Sequence, residues 1–126
     1  MRLKSYMSAK IHNATVTRSD LHYVGSITID KALLELTGMQ KNERVLVVNN
    51  TSGSRLETYI IEGERDSGAI EMNGAAAHLI HPGDEVIIMA FTLASEPFEP
   101  STILVDESNK FVRYLNEKGS STVDNC

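Results

Sequence analysis

The sequence predicts a small, mainly β domain, and three observations carry that reading. Leu3, Ser5, Met7, Ala9 and Ile11 alternate with Arg2, Lys4, Tyr6, Ser8, Lys10 and His12, the period-2 pattern of a strand with one face toward a core. A series of short runs rich in Val, Ile, Leu, Thr and Tyr follows, most of them bounded by Gly, Asn, Asp or Ser. One stretch only has the signals of a helix.

After the opening strand come candidates at Ala14 to Thr17 and Ser26 to Ile29. The helix is predicted over Lys31 to Thr37, with Asp30 at the capping position, Leu33 and Leu36 on one side, and Gly38 just past the end, where left-handed backbone is wanted. Strands at Arg44 to Asn49 and Leu56 to Glu62 flank Asn49-Asn50-Thr51-Ser52-Gly53-Ser54, which reads as a hairpin loop. Gly63 to Gly68 is the next turn, and strands follow at Ala69 to Met72, Glu85 to Phe91 and Thr102 to Val105. The prolines, Pro82, Pro97 and Pro100, fall late, so most of the chain can pair its backbone without interruption. Many short strands in so short a chain favour a closed barrel, which removes the exposed edges of an open sheet. Residues 1–115 are expected to form this single domain, and the polar segment after Leu115 a disordered tail.

Composition narrows the function classes. The chain has 126 residues, a formal net charge of -5, 41% hydrophobic and 23% charged residues, an ordinary globular balance. An acidic chain gives no electrostatic grip on nucleic acid or anionic lipid. The lone cysteine, Cys126, excludes an intramolecular disulfide and points to a reducing compartment. The longest apolar run, Val86 to Phe91, is far too short to span a bilayer, and the first residues lack a signal peptide's apolar stretch. The expected setting is the cytoplasm, with neither membrane nor nucleic acid as a partner.

Several motifs fail on inspection. Gly63 and Gly68 have phosphate-loop spacing, but Ala69 stands where the lysine belongs, and neither GxGxxG nor GxSxG occurs. His78 and His81 are three apart, yet no further ligand completes a recognisable metal set, and Pro82 disfavours helix at His81. No metal site is expected. His78 is read as half-buried, and His81 as an exposed turn residue.

Chemistry concentrates at Asp20-Leu21-His22-Tyr23-Val24-Gly25-Ser26. Gly-Ser recurs at positions 53 and 119, but only Gly25-Ser26 directly precedes a strand, so a rigid element can hold the serine while the glycine accepts unusual backbone angles. Such a pair permits an acyl shift. The serine hydroxyl attacks the Gly25 carbonyl carbon, the amide becomes an ester, and elimination breaks the backbone to leave dehydroalanine. Hydrolysis of that group releases ammonia and yields a pyruvoyl ketone, which can form a Schiff base with an amine.

The chain resembles the pyruvoyl-dependent aspartate decarboxylase family. The resemblance runs from about Met7 to Phe91, carried by Lys10-Ile11-His12, Asp20-Leu21-His22-Tyr23-x-Gly25-Ser26 with Ile29-Asp30, Gly53-x-Arg55 with Thr58-Tyr59, Asn73-Gly74-Ala75-Ala76-Ala77-His78, and Gly83-Asp84. It implies a six-stranded double-psi β-barrel with short helices, a homotetramer, and conversion of L-aspartate to β-alanine for pantothenate synthesis. The implied cofactor is a pyruvoyl group made from Ser26, without pyridoxal phosphate or metal. A separate maturation factor stays open as a partner.

Residue by residue, Ser26 resembles the pyruvoyl precursor and Gly25 the end of the small fragment. Tyr59 resembles the proton donor that quenches the carbanion. Thr58 resembles a residue assigned to substrate contact and to activating the carbonyl for the acyl shift. Arg55 and Lys10 suit a substrate with two carboxylates. Asn73, Gly74, Ala75 and Ala76 resemble the segment against substrate that stabilises oxyanions, and His12 and Tyr23 take supporting roles. One departure is Val48, where some relatives carry tryptophan. Nothing beyond Phe91 receives a role. The competing readings are a non-catalytic β-barrel binding module with an intact Gly25-Ser26 bond, and a pyruvoyl enzyme for another acidic amino acid.

Overall fold

A computed structural model describes residues 1–115, and the expected tail lies outside the described residues. The strands are β1 (Lys4–Thr15), β2 (Arg18–Asp20), β3 (Ser26–Asp30), β4 (Arg44–Asn49), β5 (Arg55–Gly63), β6 (Ile70–Asn73), β7 (Glu85–Ala94), β8 (Ser101–Val105) and β9 (Phe111–Tyr114). One α-helix, α1 (Lys31–Thr37), and one 3-10 helix (Gly74–His78) complete the described elements. The fold is mainly β, as the alternation predicts.

The strands pair in the order β2-β6-β3-β5-β4-β7-β1-β8-β9. Only Val16 and Thr17 separate β1 from β2, so the first strand in this order is the continuation of the seventh. The sheet therefore curls round on itself. Hydrogen bonds at the junction complete the ring: Val16 N–H donates to Asp84 O at 2.9 Å, and Thr17 N–H to Ile70 O at 2.8 Å. Counting β1 and β2 as one path, the wall has six strands, and β8 and β9 extend it outside β1.

Period-2 alternation fills the barrel. Ile11, Ile27, Val47, Ile60, Met72 and Ile88 point inward and are inaccessible to solvent, each contributing on the order of 1.5–3 kcal/mol by burial. The opposite face of the same strands carries Lys10, Thr28, Arg44, Arg55, Glu57 and Tyr59, outside the core.

Helix α1 has the predicted limits. The Asp30 carboxylate accepts from Ala32 N–H at 2.8 Å, and Gly38 adopts φ 79° and returns its N–H to Leu34 O. Asp30 does more than cap: it also accepts the N–H groups of Asp66 and Gly68, each at 2.8 Å, and so fixes the turn between β5 and β6.

Three local expectations change, and a fourth segment gains detail. Ala14–Thr17 is not a separate strand, because β1 bends through a register shift after Ile11, with Asn13 at φ 65°, and continues to Thr15. Strands β2 and β9 are too short and polar, or too late in the chain, to stand out as patterns. His78 is exposed rather than half-buried, since it ends the 3-10 helix on its outer side. The segment after Phe91 is integral: Asn109, almost fully buried, accepts from Thr15 N–H and donates to Thr15 O and Gly68 O, all at 2.8 Å.

Candidate active site

Asn73 is the centre of the site because of strand order. β6 lies between β2 and β3, so Asn73 pairs with Asp20 on one side and with Ser26 on the other. The loop 21–25 must then arch over the end of β6. Its first turn is shaped by Asp20, whose carboxylate accepts the N–H of His22 at 2.9 Å.

The chain leaving β6 passes directly beneath that arch. Gly74 has φ 68°, and a Cβ there would lie 2.7 Å from Gly25 Cα, 2.8 Å from Gly25 N and 3.0 Å from Tyr23 O. No other residue type fits. Gly25 itself is not in the left-handed region, which corrects the expectation that it accepts unusual angles. The conformational demand falls on Gly74, the partner that presses against it.

Ser26 opens β3 and is fully buried. Its Oγ donates to Val24 O at 3.1 Å and accepts from Asn73 Nδ2 at 2.9 Å. Nδ2 also donates to Thr28 Oγ1 at 3.0 Å, so both amide hydrogens are used and the amide cannot swing away. Thr28 escapes sequence reasoning, although its position two residues after Ser26 on a strand is the available signal. The arrangement holds a nucleophilic oxygen beside the Gly25 carbonyl, with a donor able to stabilise negative charge on oxygen.

Continuing the parallel β3–β5 register one residue back from Ile27–Ile60 brings Tyr59 level with Ser26, and Thr58 level with Gly25. Tyr59 shares the outer face with Ser26. Thr58 faces inward opposite Val45. Gly74 and Ala76 are buried and Ala75 is exposed in the 3-10 turn, whose first N–H groups have no partner within the turn.

The remaining predicted residues are dispersed. Arg55 is four residues from Tyr59, about 13 Å along β5. Lys10 lies on β1, which neighbours neither β3 nor β5 in the strand order. His12 is buried beside Leu104 of β8, and Tyr23 is half exposed in the arch. A cleft of about 320 Å³ next to Asn73 and Thr28 is lined by Asp20, Glu62 and Glu71 with Arg18 as its one cation. That cleft repels a dianion.

No helix among the described residues is long and apolar enough to cross a membrane. Three or more His, Cys, Asp or Glu side chains placed to hold a metal do not occur among the described residues either. The Asp84 carboxyl is held below its ordinary value by the His81 backbone N–H at 2.9 Å and by the Asn49 amide at 2.8 Å, against the opposing effect of burial.

Comparison with known proteins adds a second line. The family model described as aspartate decarboxylase matches residues 1–112, further than the blocks between Met7 and Phe91. Aspartate 1-decarboxylase of Bacillus pumilus (strain SAFR-032) is 48% identical over 124 residues, covering 95% of this chain and 98% of that protein. The aspartate 1-decarboxylase of Acetivibrio thermocellus is 49% identical over 116 residues, covering 89% and 92%. That of Bacillus cereus (strain B4264) is 45% identical over 124 residues, covering 95% and 98%.

Proposed function

The chain belongs to the aspartate decarboxylase family and converts L-aspartate to β-alanine and carbon dioxide for pantothenate synthesis, and we propose that it does so with a pyruvoyl group made from its own Ser26. The observation that carries the proposal is the Ser26 hydroxyl, held between Val24 O and Asn73 Nδ2, with Gly74 pressed against the Gly25 side of the bond to be broken. The residues fit the group. A pyruvoyl takes up no more room than the serine it replaces, and departure of Oγ with the Gly25 carboxylate would free an Asn73 amide hydrogen beside the group.

When formed, the pyruvoyl supplies an electrophilic ketone that takes the substrate amine and draws off the electrons released with carbon dioxide. The chain's own residues do the rest. Tyr59, level with Ser26 on the same face, returns a proton to the carbon that loses its carboxylate. Thr58 acts on the Gly25 carbonyl during the acyl shift and on substrate afterwards. The N–H groups of Gly74, Ala75 and Ala76 stabilise developing oxyanions. Lys10 and Arg55 bind the two carboxylates.

The placement of Lys10 and Arg55 on non-adjacent strands supports a pocket to which a neighbouring chain contributes, and the family resemblance makes that assembly a homotetramer. The working unit is the domain 1–115, in the cytoplasm, and a maturation factor is needed only if self-cleavage is slow.

Mass spectrometry of purified, incubated protein tests this. The expected products are residues 1–25 ending in a carboxylate and residues 26–126 beginning with a pyruvoyl group. L-Aspartate then releases carbon dioxide, with L-glutamate as the control for another acidic substrate. Ser26→Ala leaves one intact chain and no carbon dioxide. Carbon dioxide release by that variant, or by an uncleaved wild-type chain, refutes the proposal; cleavage appearing only with added cell extract identifies a maturation factor.

A further inference from the structure

Arg55, Glu57 and Tyr59 succeed one another on the outer face of β5. Glu57 stands about 7 Å along the strand from Arg55. An arginine fork donates bidentately to any carboxylate, so an unrestrained Glu57 competes with substrate for Arg55. The competitor is restrained. Arg44, diagonal to Glu57 on the neighbouring strand β4, donates from Nη2 to both Glu57 carboxylate oxygens at 2.9 Å. Directly opposite Arg55 and Glu57, β4 carries Val48 and Leu46, which offer neither charge an alternative partner. Arg55 forms no ion pair among the described residues.

We infer that Arg44 is a positioning residue for substrate binding: it holds Glu57 away from Arg55 and so keeps the Arg55 guanidinium available to a dicarboxylate. The inference rests on the reading of Arg55 as a carboxylate-binding residue. It also explains how an acidic chain can carry a glutamate two residues from that arginine without cancelling it.

The test uses the processed enzyme at low ionic strength, where exposed charges act most strongly. Arg44→Ala raises the KM for L-aspartate, and the calorimetric Kd for succinate, about 3-fold, while kcat and self-cleavage stay unchanged. Adding Glu57→Gln to the same chain restores both constants. A packing role for Arg44 is not reversed by removing a charge from Glu57. Unchanged KM and Kd in Arg44→Ala, or a double variant as weak as the single one, overturns the inference. Arg55→Ala separates the two levels: unchanged succinate binding there sinks the reading of Arg55, whereas weakened binding there with none in Arg44→Ala sinks the role of Arg44 alone.

Discussion

Ser26 and Arg55 belong to the same outward-facing period of the barrel wall, yet the first is fully buried under an arch of chain and the second is exposed. Ser26 bonds to Val24 and, across 47 positions of sequence, to Asn73, whose amide is also held by Thr28, while Gly74 lies against Gly25. Arg55 is paired with Val48 of β4, and the second predicted cation, Lys10, lies on β1, which neighbours neither β3 nor β5. The contrast separates two tasks. In the proposed function, breaking the Gly25–Ser26 bond needs a preorganised, water-excluded oxygen, as Ser26 provides, whereas gripping a dianion needs converging positive charge, and the two predicted cations stand on non-adjacent strands.

Gly74→Ala breaks the first region most severely. Its Cβ has nowhere to go but into Gly25 and Tyr23 backbone, and its φ of 68° is costly for alanine. The arch must lift, and the Ser26 hydroxyl leaves its register with Asn73. Self-cleavage is expected to fall below detection by denaturing gel, with the far-ultraviolet circular dichroism of the barrel retained. Normal cleavage in a folded Gly74→Ala chain would show that the arch is not part of the processing geometry.

Arg55→Ala addresses the second region and should leave the first untouched. Cleavage into residues 1–25 and 26–126 proceeds at the wild-type rate, because Arg55 is about 13 Å along β5 from the level of Ser26. The KM for L-aspartate rises about 30-fold or more, the cost of removing one partner of a hydrogen-bonded charge pair. Slow cleavage in this variant would mean that the two tasks share residues after all.

The same contrast explains what the sequence reveals. Helix α1 is legible to its limits because Asp30 and Gly38 act within one turn of the backbone. The opening strand and the β4–β5 hairpin are legible because alternation is a property of neighbouring residues. The ring closure is not, since it depends on Val16 and Thr17 bonding to Asp84 and Ile70, far away in sequence. Of the site, Gly25-Ser26 announces itself through its chemistry, and Asn73-Gly74 only through resemblance. Thr28 remains hidden because a strand threonine looks like any other until Asn73 is seen to donate to it. The demand for glycine is likewise misassigned to position 25, because the close approach that creates it comes from residue 74.

A smaller effect is expected where the two regions are tied together. Asn49 ends β4 just before the hairpin that leads to Arg55, and its Nδ2 donates to Asp84 Oδ2 at 2.8 Å and to Leu79 O at 3.3 Å, on the segment that follows the 3-10 turn. The same Asp84 oxygen accepts the His81 N–H at 2.9 Å. These bonds favour the carboxylate and hold the Asp84 pKa below the ordinary aspartate value of 3.8 in the folded chain. A group whose folded pKa is depressed adds stability above its unfolded pKa and loses it as pH falls through the folded value. Asp84→Asn should therefore cost about 1–2 kcal/mol in denaturant unfolding at neutral pH, and the gap to wild type should close as pH drops below 3.8. A gap that stays constant between neutral and acid pH would assign the loss to packing rather than to charge. Because this link joins the hairpin to the segment beyond Gly74, the variant should raise the KM for L-aspartate more than it slows self-cleavage: the cleavage geometry is fixed upstream, at Asn73 and Gly74, whereas Arg55 takes its position from the hairpin itself.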